Sequence, residues 1–443
     1  MRIAVIGSGI SGLASAYLLR DLGEVHLFEK EDRLGGHSHT VEVFFDQKSI
    51  FVDTGFIVFN PHNYPNLVKF FEMLGIESIE TDMSFSVSLD DGAMEYEGSL
   101  KGLFSQPKNF FSLEYWRMLV DLIRFYKFAP QQIAKGCGSS FETLSDFLKR
   151  TRYRPAFINN HLVPMSAAIW SASTNSIMNF PVHTFMAFMQ NHKLLNFFNR
   201  PQWRTVAGGS INYVNSIAEQ LGNRVHLNSK ITGLKRGKSG VLMSLRGQDD
   251  IWFDKVVMAA HADQSLALLE DASKLESEIL SSFKFQLNRA VLHSDLRLMP
   301  RSRNAWASWN YLSKSEIKTK DINKKNSDLC LTYWMNRLQS IDNAYPLFET
   351  LNPVISPEPN LLHGEYFYRH PIFNVKAIKA QTRLELIQGM NSLYFVGAWS
   401  GYGFHEDGLN SAIKVARKLG AKVPWADSCK SNFFEKMSRP GQL

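Results

Sequence analysis

Short unbroken apolar runs alternate with stretches of helical period along this chain. Ile3 to Ile6 is apolar throughout, the pattern of a strand covered on both faces. Glycines at 7, 9 and 12 follow at once, and Leu13 to Leu22 then reads as a helix stopped by Gly23. A second apolar run, Val25 to Phe28, ends on Glu29. Asn66 to Leu74 has the spacing of an amphipathic helix. Ser84 to Leu89 and Met94 to Glu97 flank Asp90-Asp91-Gly92 as a hairpin. Gly208-Gly209-Ser210 opens a helix through Leu221, Arg224 to Leu227 reads as a strand, and a hairpin follows between 233 and 254. Lys255 to Ala260 and Leu393 to Val396 are further buried strands, while 304–310 and 331–336 alternate with aromatics. The loop 401–408 feeds a last helix, Leu409 to Leu419.

Strand, glycine turn, helix and a second strand with a terminal acid are the dinucleotide-binding fingerprint in its required order. Gly7 allows the tight turn, Gly9 the approach of a pyrophosphate, and Gly12 the close lie of helix on sheet. With Ser11 they place the phosphates at a helix N-terminus, where free N–H groups favour anions. Glu29 is positioned for ribose hydroxyls, and its charge repels a 2′-phosphate, which argues against NADP. This reading leaves NAD and FAD open.

At 443 residues the chain is too long for one core, and the fold class expected is α/β, a Rossmann-type dinucleotide domain with a discontinuous α+β substrate domain. The boundaries expected are 1–81, 203–281 and 386–424 for the first, 82–202 and 282–385 for the second, and 425–443 as a polar tail. No apolar run is long enough to span a bilayer, and Arg2 leads straight into a strand, so no signal peptide is expected. Three widely spaced cysteines, Cys137, Cys330 and Cys429, suit a reducing compartment and no metal site. The net charge of +7 carries no nucleic-acid module with it, so an anionic membrane surface is the partner expected, on the inner face of a cytoplasmic membrane. Leu113, Trp116, Val120 and Ile123 fall at helical spacing, with Lys101, Lys108, Arg117, Arg124 and Lys127 nearby; that is a surface-lying amphipathic helix or one packed on its own core.

After Glu29 and Lys30, the pair Gly35-Gly36 and His37 extend the fingerprint. Here the chain resembles the flavin amine oxidase and phytoene desaturase superfamily. The superfamily usually has an arginine after the glycine pair, where this chain has His37. The resemblance implies FAD, with contacts at Lys30, Gly36, His37, Gly55, Gly209 and the backbone of Val225. It also implies a closing segment, Gly397, Ala398, Asp407 and Leu409, that brings a helix N-terminus to the flavin ring. Four stretches, 81–88, 200–203, 331–334 and 401–408, are similar to one branch: the flavin oxidoreductase domain that precedes the methyltransferase in plant cyclopropane fatty-acid synthases, and its free-standing bacterial relatives. That implies a fatty acyl substrate and a separate methyltransferase as partner.

Within that frame His405 and Glu406 are the acid–base candidates, because they lie in the loop next to the expected flavin end. Tyr366, Tyr368 and Trp399 are candidates for the ring face, Tyr368 as a catalytic residue, and His370 is a weaker acid–base choice. No cysteine lies near Tyr366 to Tyr368, so the FAD is expected to be held non-covalently. The activity expected is desaturation of a fatty acyl chain of a lipid. The alternatives are oxidation of a small amine and a non-catalytic flavoprotein partner of a methyltransferase.

Overall fold

The computed structural model describes residues 1–45, 48–134, 141–196, 199–313 and 329–425. Cys137, Cys429, the charged stretch 314–328 and the tail beyond Trp425 lie outside the described residues.

Two sheets organise the chain. The first has five strands in the order Leu393–Phe395, Lys255–Met258, Arg2–Ile6, Glu24–Phe28 and Val225–His226, and every neighbouring pair is parallel. Its central strand buries both faces. Ile3 and Val5 join one apolar cluster with the helices Ile10–Leu19, Ile211–Leu221 and His405–Lys418; Ala4 and Ile6 join another with Phe283, Phe395 and Trp399. Burial on both sides is why the run is apolar without alternation. The helix Val375–Arg383 gives Ala377 and Ala380 to the second of these clusters.

The second sheet has seven strands, in the order Leu362–Ile372, Lys284–His293, Phe348–Leu351, Cys330–Trp334, Trp309–Leu312, Phe85–Leu89 and Met94–Glu97. It is antiparallel except where Trp309–Leu312 runs beside Phe85–Leu89. Asp90 and Asp91 have φ of 50° and 54° in the four-residue connection between Leu89 and Met94, where the Gly92 N–H donates to the Leu89 carbonyl at 3.1 Å. Helices from Leu113–Ala134 to Val182–Asn191 pack against this sheet and each other around Phe125, Phe157, Phe185 and Phe188.

Two helices start earlier than the apolar pattern suggests. The first spans Ile10–Leu19, and Gly12 sits inside it: a Cβ there would lie 1.8 Å from the Gly7 carbonyl oxygen. The last spans His405–Lys418 rather than starting at Leu409. Its start is fixed by the Asp407 carboxylate, which accepts the Phe404 N–H at 3.0 Å.

Candidate active site

The phosphate end is built by three loops. At Gly7 φ is +101°, and a side chain there would strike the Ala259 carbonyl. At Gly9 the opposite holds: a Cβ would meet nothing within 4 Å, so the backbone faces open space at the helix N-terminus. Gly35 donates its N–H to the Ser8 carbonyl at 3.1 Å, which lays the second glycine pair on the first turn; a Cβ on Gly36 would lie 3.0 Å from the Gly9 Cα. Glu29 is buried at the end of its strand, where its Oε2 accepts the Ser8 N–H at 2.9 Å and the Ser8 hydroxyl at 2.6 Å. Its N–H donates to the His226 carbonyl at 2.8 Å, so the backbone of Val225 and His226 stands beside it. Lys30 is on the surface, paired with Glu31 at 3.0 Å.

The opposite end of the chain closes on this turn. A Cβ on Gly408 would lie 2.7 Å from the Ser11 Oγ and 3.6 Å from the Ala398 nitrogen. The Gly397 N–H donates to Ser411 Oγ at 2.9 Å. The two glycine-bearing termini therefore meet at the N-termini of two helices. Asp407 caps its own helix, and burial pushes its carboxyl up to about 7. Leu409 is a correction: its side chain is wholly buried in the core between the two helices. Because the helix starts at His405, the unpaired N–H groups belong to the first turn, 405–407, and Leu409 lies past it.

Between these ends, Gly208 and Gly209 turn with φ of +73° and +100°. The buried Asp53 carboxylate binds this turn to the strand Lys48–Asp53: it accepts the Ser210 N–H at 2.9 Å, the Ser210 hydroxyl at 2.7 Å and the Thr40 hydroxyl at 2.6 Å. Burial raises it to about 6. A Cβ on Gly55 would lie 2.1 Å from the His37 carbonyl oxygen, and the Phe56 N–H donates to that oxygen at 2.8 Å.

One face of the seven-stranded sheet meets these elements. Tyr366, Tyr368 and His370 alternate along one strand and share a face with Asn288 and Ala290 of the next. Tyr368 Oη lies 2.7 Å from Thr54 Oγ1 and 3.0 Å from His39 Nδ1. The His37 ring stands 5.2 Å from Tyr368 and 5.3 Å from His370, and His39 meets Tyr366 edge-on at 4.7 Å. Asn288 Nδ2 donates to the Ser171 carbonyl and to His370 Nδ1, so His370 is the tautomer with its proton on Nε2. Burial, reinforced by Arg33, lowers His37 and His39 to about 4; burial and neighbouring histidines lower His370 to about 3. The ring cluster is therefore uncharged at neutral pH.

The same face carries a residue that the sequence does not single out. Glu349 stands opposite Tyr333 across two buried strands. It is 1% exposed, its Oε1 has no hydrogen-bond partner, and burial with the nearby Asp53 raises it well above the usual carboxylate range. Burial raises Tyr333, Tyr366 and Tyr368 above the ordinary phenol value, with Glu349 adding to the shift once its carboxyl ionises, so all three phenols are protonated at neutral pH. The available signal was a lone acid inside the run from Leu347 to Leu351.

Glu406 is corrected. Its Oε1 accepts the Asn66 N–H at 3.1 Å and Asn66 Nδ2 at 2.9 Å, and its Oε2 accepts the Leu67 N–H at 2.9 Å. A carboxylate so engaged clamps the N-terminus of the helix Pro65–Met73 and is not free for proton transfer. His405 faces inward, stacked on Phe56 at 3.6 Å, with Nε2 3.0 Å from Ser38 Oγ; burial holds it neutral. Trp399 is also corrected: it is 2% exposed, packs on Phe283 at 4.6 Å and donates to the Ala260 carbonyl at 3.2 Å, so it belongs to the core beneath the parallel sheet.

Residues 10–289 match the family of flavin containing amine oxidoreductases. A 78-residue stretch is 36% identical to a 15-cis-phytoene desaturase of Synechococcus elongatus, covering 17% of this chain and 16% of that protein. A 56-residue stretch is 48% identical to a 4,4′-diapolycopen-4-al dehydrogenase of Metabacillus indicus, covering 12% and 11%. The chain thus matches only a small part of the length of these curated relatives. In fold it is similar to a CLA-producing fatty acid isomerase from P. acnes, with a TM-score of 0.63 and 14% identity over 95% of this chain and 99% of that one.

Proposed function

The chain belongs to the flavin-containing amine oxidoreductase family, and from that premise we propose that it holds FAD non-covalently and dehydrogenates a fatty acyl chain of a lipid at a membrane surface. The fit to a dinucleotide rests on the open space at Gly9, the buried acid at Glu29 and the meeting of Ser11 with Gly408. A bound flavin supplies the two-electron acceptor, and the protein supplies position, dryness and proton management.

One observation carries the acyl reading. The sheet face that meets the glycine loops is apolar and aromatic around one buried acid: Ala290, Leu292, Leu331, Leu351 and Tyr333 lie in one buried cluster with Tyr368, and Glu349 stands among them with its carboxyl raised well above the usual range. Such a face holds a hydrocarbon by area and excludes water from the reacting carbon. The neutral histidines and protonated phenols place no fixed charge against it. The test is anaerobic mixing of the purified yellow protein with phospholipid, read at the flavin band and by mass spectrometry of the acyl chains. Bleaching with a two-dalton loss from the lipid is the expected result, and an unbleached flavin with unchanged chains overturns the reading.

Glu349 favours a second reading, oxidation of a small amine. An ammonium beside its unpartnered Oε1 would ionise the carboxyl, with Tyr366 and Tyr368 as neighbouring ring faces. A panel of amines in the same anaerobic assay decides between the two.

A further inference from the structure

The helix Leu113–Ala134 is apolar on both sides. Tyr115, Met118, Leu122 and Phe125 pack inward. Phe110, Phe111, Leu113, Trp116, Val120 and Ile123 all point outward, Phe111 being 87% and Leu113 65% exposed. A helix that is hydrophobic all round is normally enclosed. A contiguous exposed apolar patch of this kind marks an interaction surface.

We propose that this face docks the protein on an anionic phospholipid bilayer. Charge chooses the occupant. Lys101, Lys108, Arg117 and Lys127 are exposed on and beside the patch, against the single exposed acid Glu114 within 100–134. Two copies meeting face to face would oppose these cations, whereas anionic headgroups pair with them while the lysine and arginine stems lie along apolar surface. The aromatic knob suits an apolar medium, because the polar atom of Trp116 is already satisfied: its indole N–H donates to the Phe110 carbonyl at 2.8 Å. Phe104, Phe110 and Trp116 brace one another at 5.6 to 5.8 Å. Inside the helix, Tyr115, Met118 and Leu119 belong to the same buried cluster as Tyr333 and Tyr368, so one element joins the docking face to the site. The inference deepens the lipid reading and rests on it for its purpose, but it concerns binding and not turnover.

The test is co-sedimentation of the full-length flavoprotein with phosphatidylcholine vesicles and with vesicles half phosphatidylglycerol, without an electron acceptor. The wild type should pellet roughly ten-fold better with the anionic vesicles, and added salt should weaken it. The triple variant Phe111→Ser, Leu113→Ser, Val120→Ser should bind roughly ten-fold less while its melting point and flavin spectrum stay unchanged, since all three side chains are exposed. Wild type that stays in the supernatant with anionic vesicles overturns the proposal. So does a triple variant that binds like the wild type, or one whose only change is from dimer to monomer. Vesicle binding without bleaching in the anaerobic assay would sink the acyl reading and leave the docking face standing.

Discussion

Gly408 and Ser11, almost four hundred residues apart in sequence, touch: a methyl group on the one would come within 2.7 Å of the hydroxyl of the other. The two helices that carry them pair through small residues. At the N-terminus of the helix that carries Ser11, Gly9 borders open space.

This relationship separates two glycine variants. Gly9→Ala adds a methyl where no protein atom lies within 4 Å, in a backbone conformation open to any residue, at φ of −65°. Its effect on stability should stay below ~1 kcal/mol, while flavin occupancy, read as the ratio of 450 to 280 nm absorbance, should fall at least about ten-fold. Gly408→Ala should lose both, because the methyl forces the helices apart. A fully yellow Gly9→Ala protein would remove the phosphate from this loop.

Glu406→Ala should behave as the loss of a helix clamp. It leaves the Asn66 and Leu67 N–H groups buried without an acceptor, at a cost of about 2 kcal/mol in chemical denaturation. Turnover per bound flavin should hold. A variant of normal stability with no turnover would return Glu406 to an acid–base role.

Glu349→Gln keeps the shape of the side chain and removes its proton equilibrium. The folded protein and its flavin spectrum should be unchanged. The carboxyl is held well above the usual carboxylate range, so its titration should appear as one limb of the wild-type pH–rate profile and vanish in the variant. If the amine reading holds, kcat/KM for amines should also drop by about 100-fold. An identical pH profile in both proteins would make Glu349 a structural residue only.

Acid should destabilise the fold. His37, His39, His161, His192, His261, His293 and His370 are held at about 3 or 4 by burial, below the ordinary value of 6.5. Between those values the unfolded chain binds protons that the folded chain does not, so this stability is complete above pH 6.5 and drains as pH falls; at pH 5 a group such as His37 accounts for ~2 kcal/mol. Asp53 and Asp407 act in the opposite direction. Raised to about 6 and about 7, they take up protons in the folded chain first and gain stability as pH falls from 7 to 5. Glu349 and Glu406 are raised as well, and His226, His363 and His405 are lowered as well. Ten histidines against four carboxyls leaves a net loss, so denaturation midpoints should be lower at pH 5 than at pH 7. A midpoint that rises toward pH 5 would mean that the histidines are hydrated.

The sequence by itself determined the parallel sheet, its glycine turn and the acid after the second strand. Each is a local demand: a strand buried on both faces must be apolar throughout, and a turn at φ of +101° wants glycine. The hairpin at Asp90 and Asp91 was legible for the same reason. What lies on either side of a sheet or helix is not local. Leu113, Trp116, Val120 and Ile123 have the spacing of a buried stripe, yet only the packed neighbours show that Tyr115, Met118 and Leu122 fill the core and leave that stripe outside. Glu406 looked available because it lies in the loop next to the expected flavin end; it became a clamp because the fold brings a helix N-terminus from 340 residues away onto its carboxylate. Glu349 gained meaning only when strand pairing set it opposite Tyr333, under the phenols of another strand. Burial, and with it every shifted proton equilibrium here, belongs to the assembled chain, because desolvation depends on what surrounds a group in space and not on its neighbours in sequence.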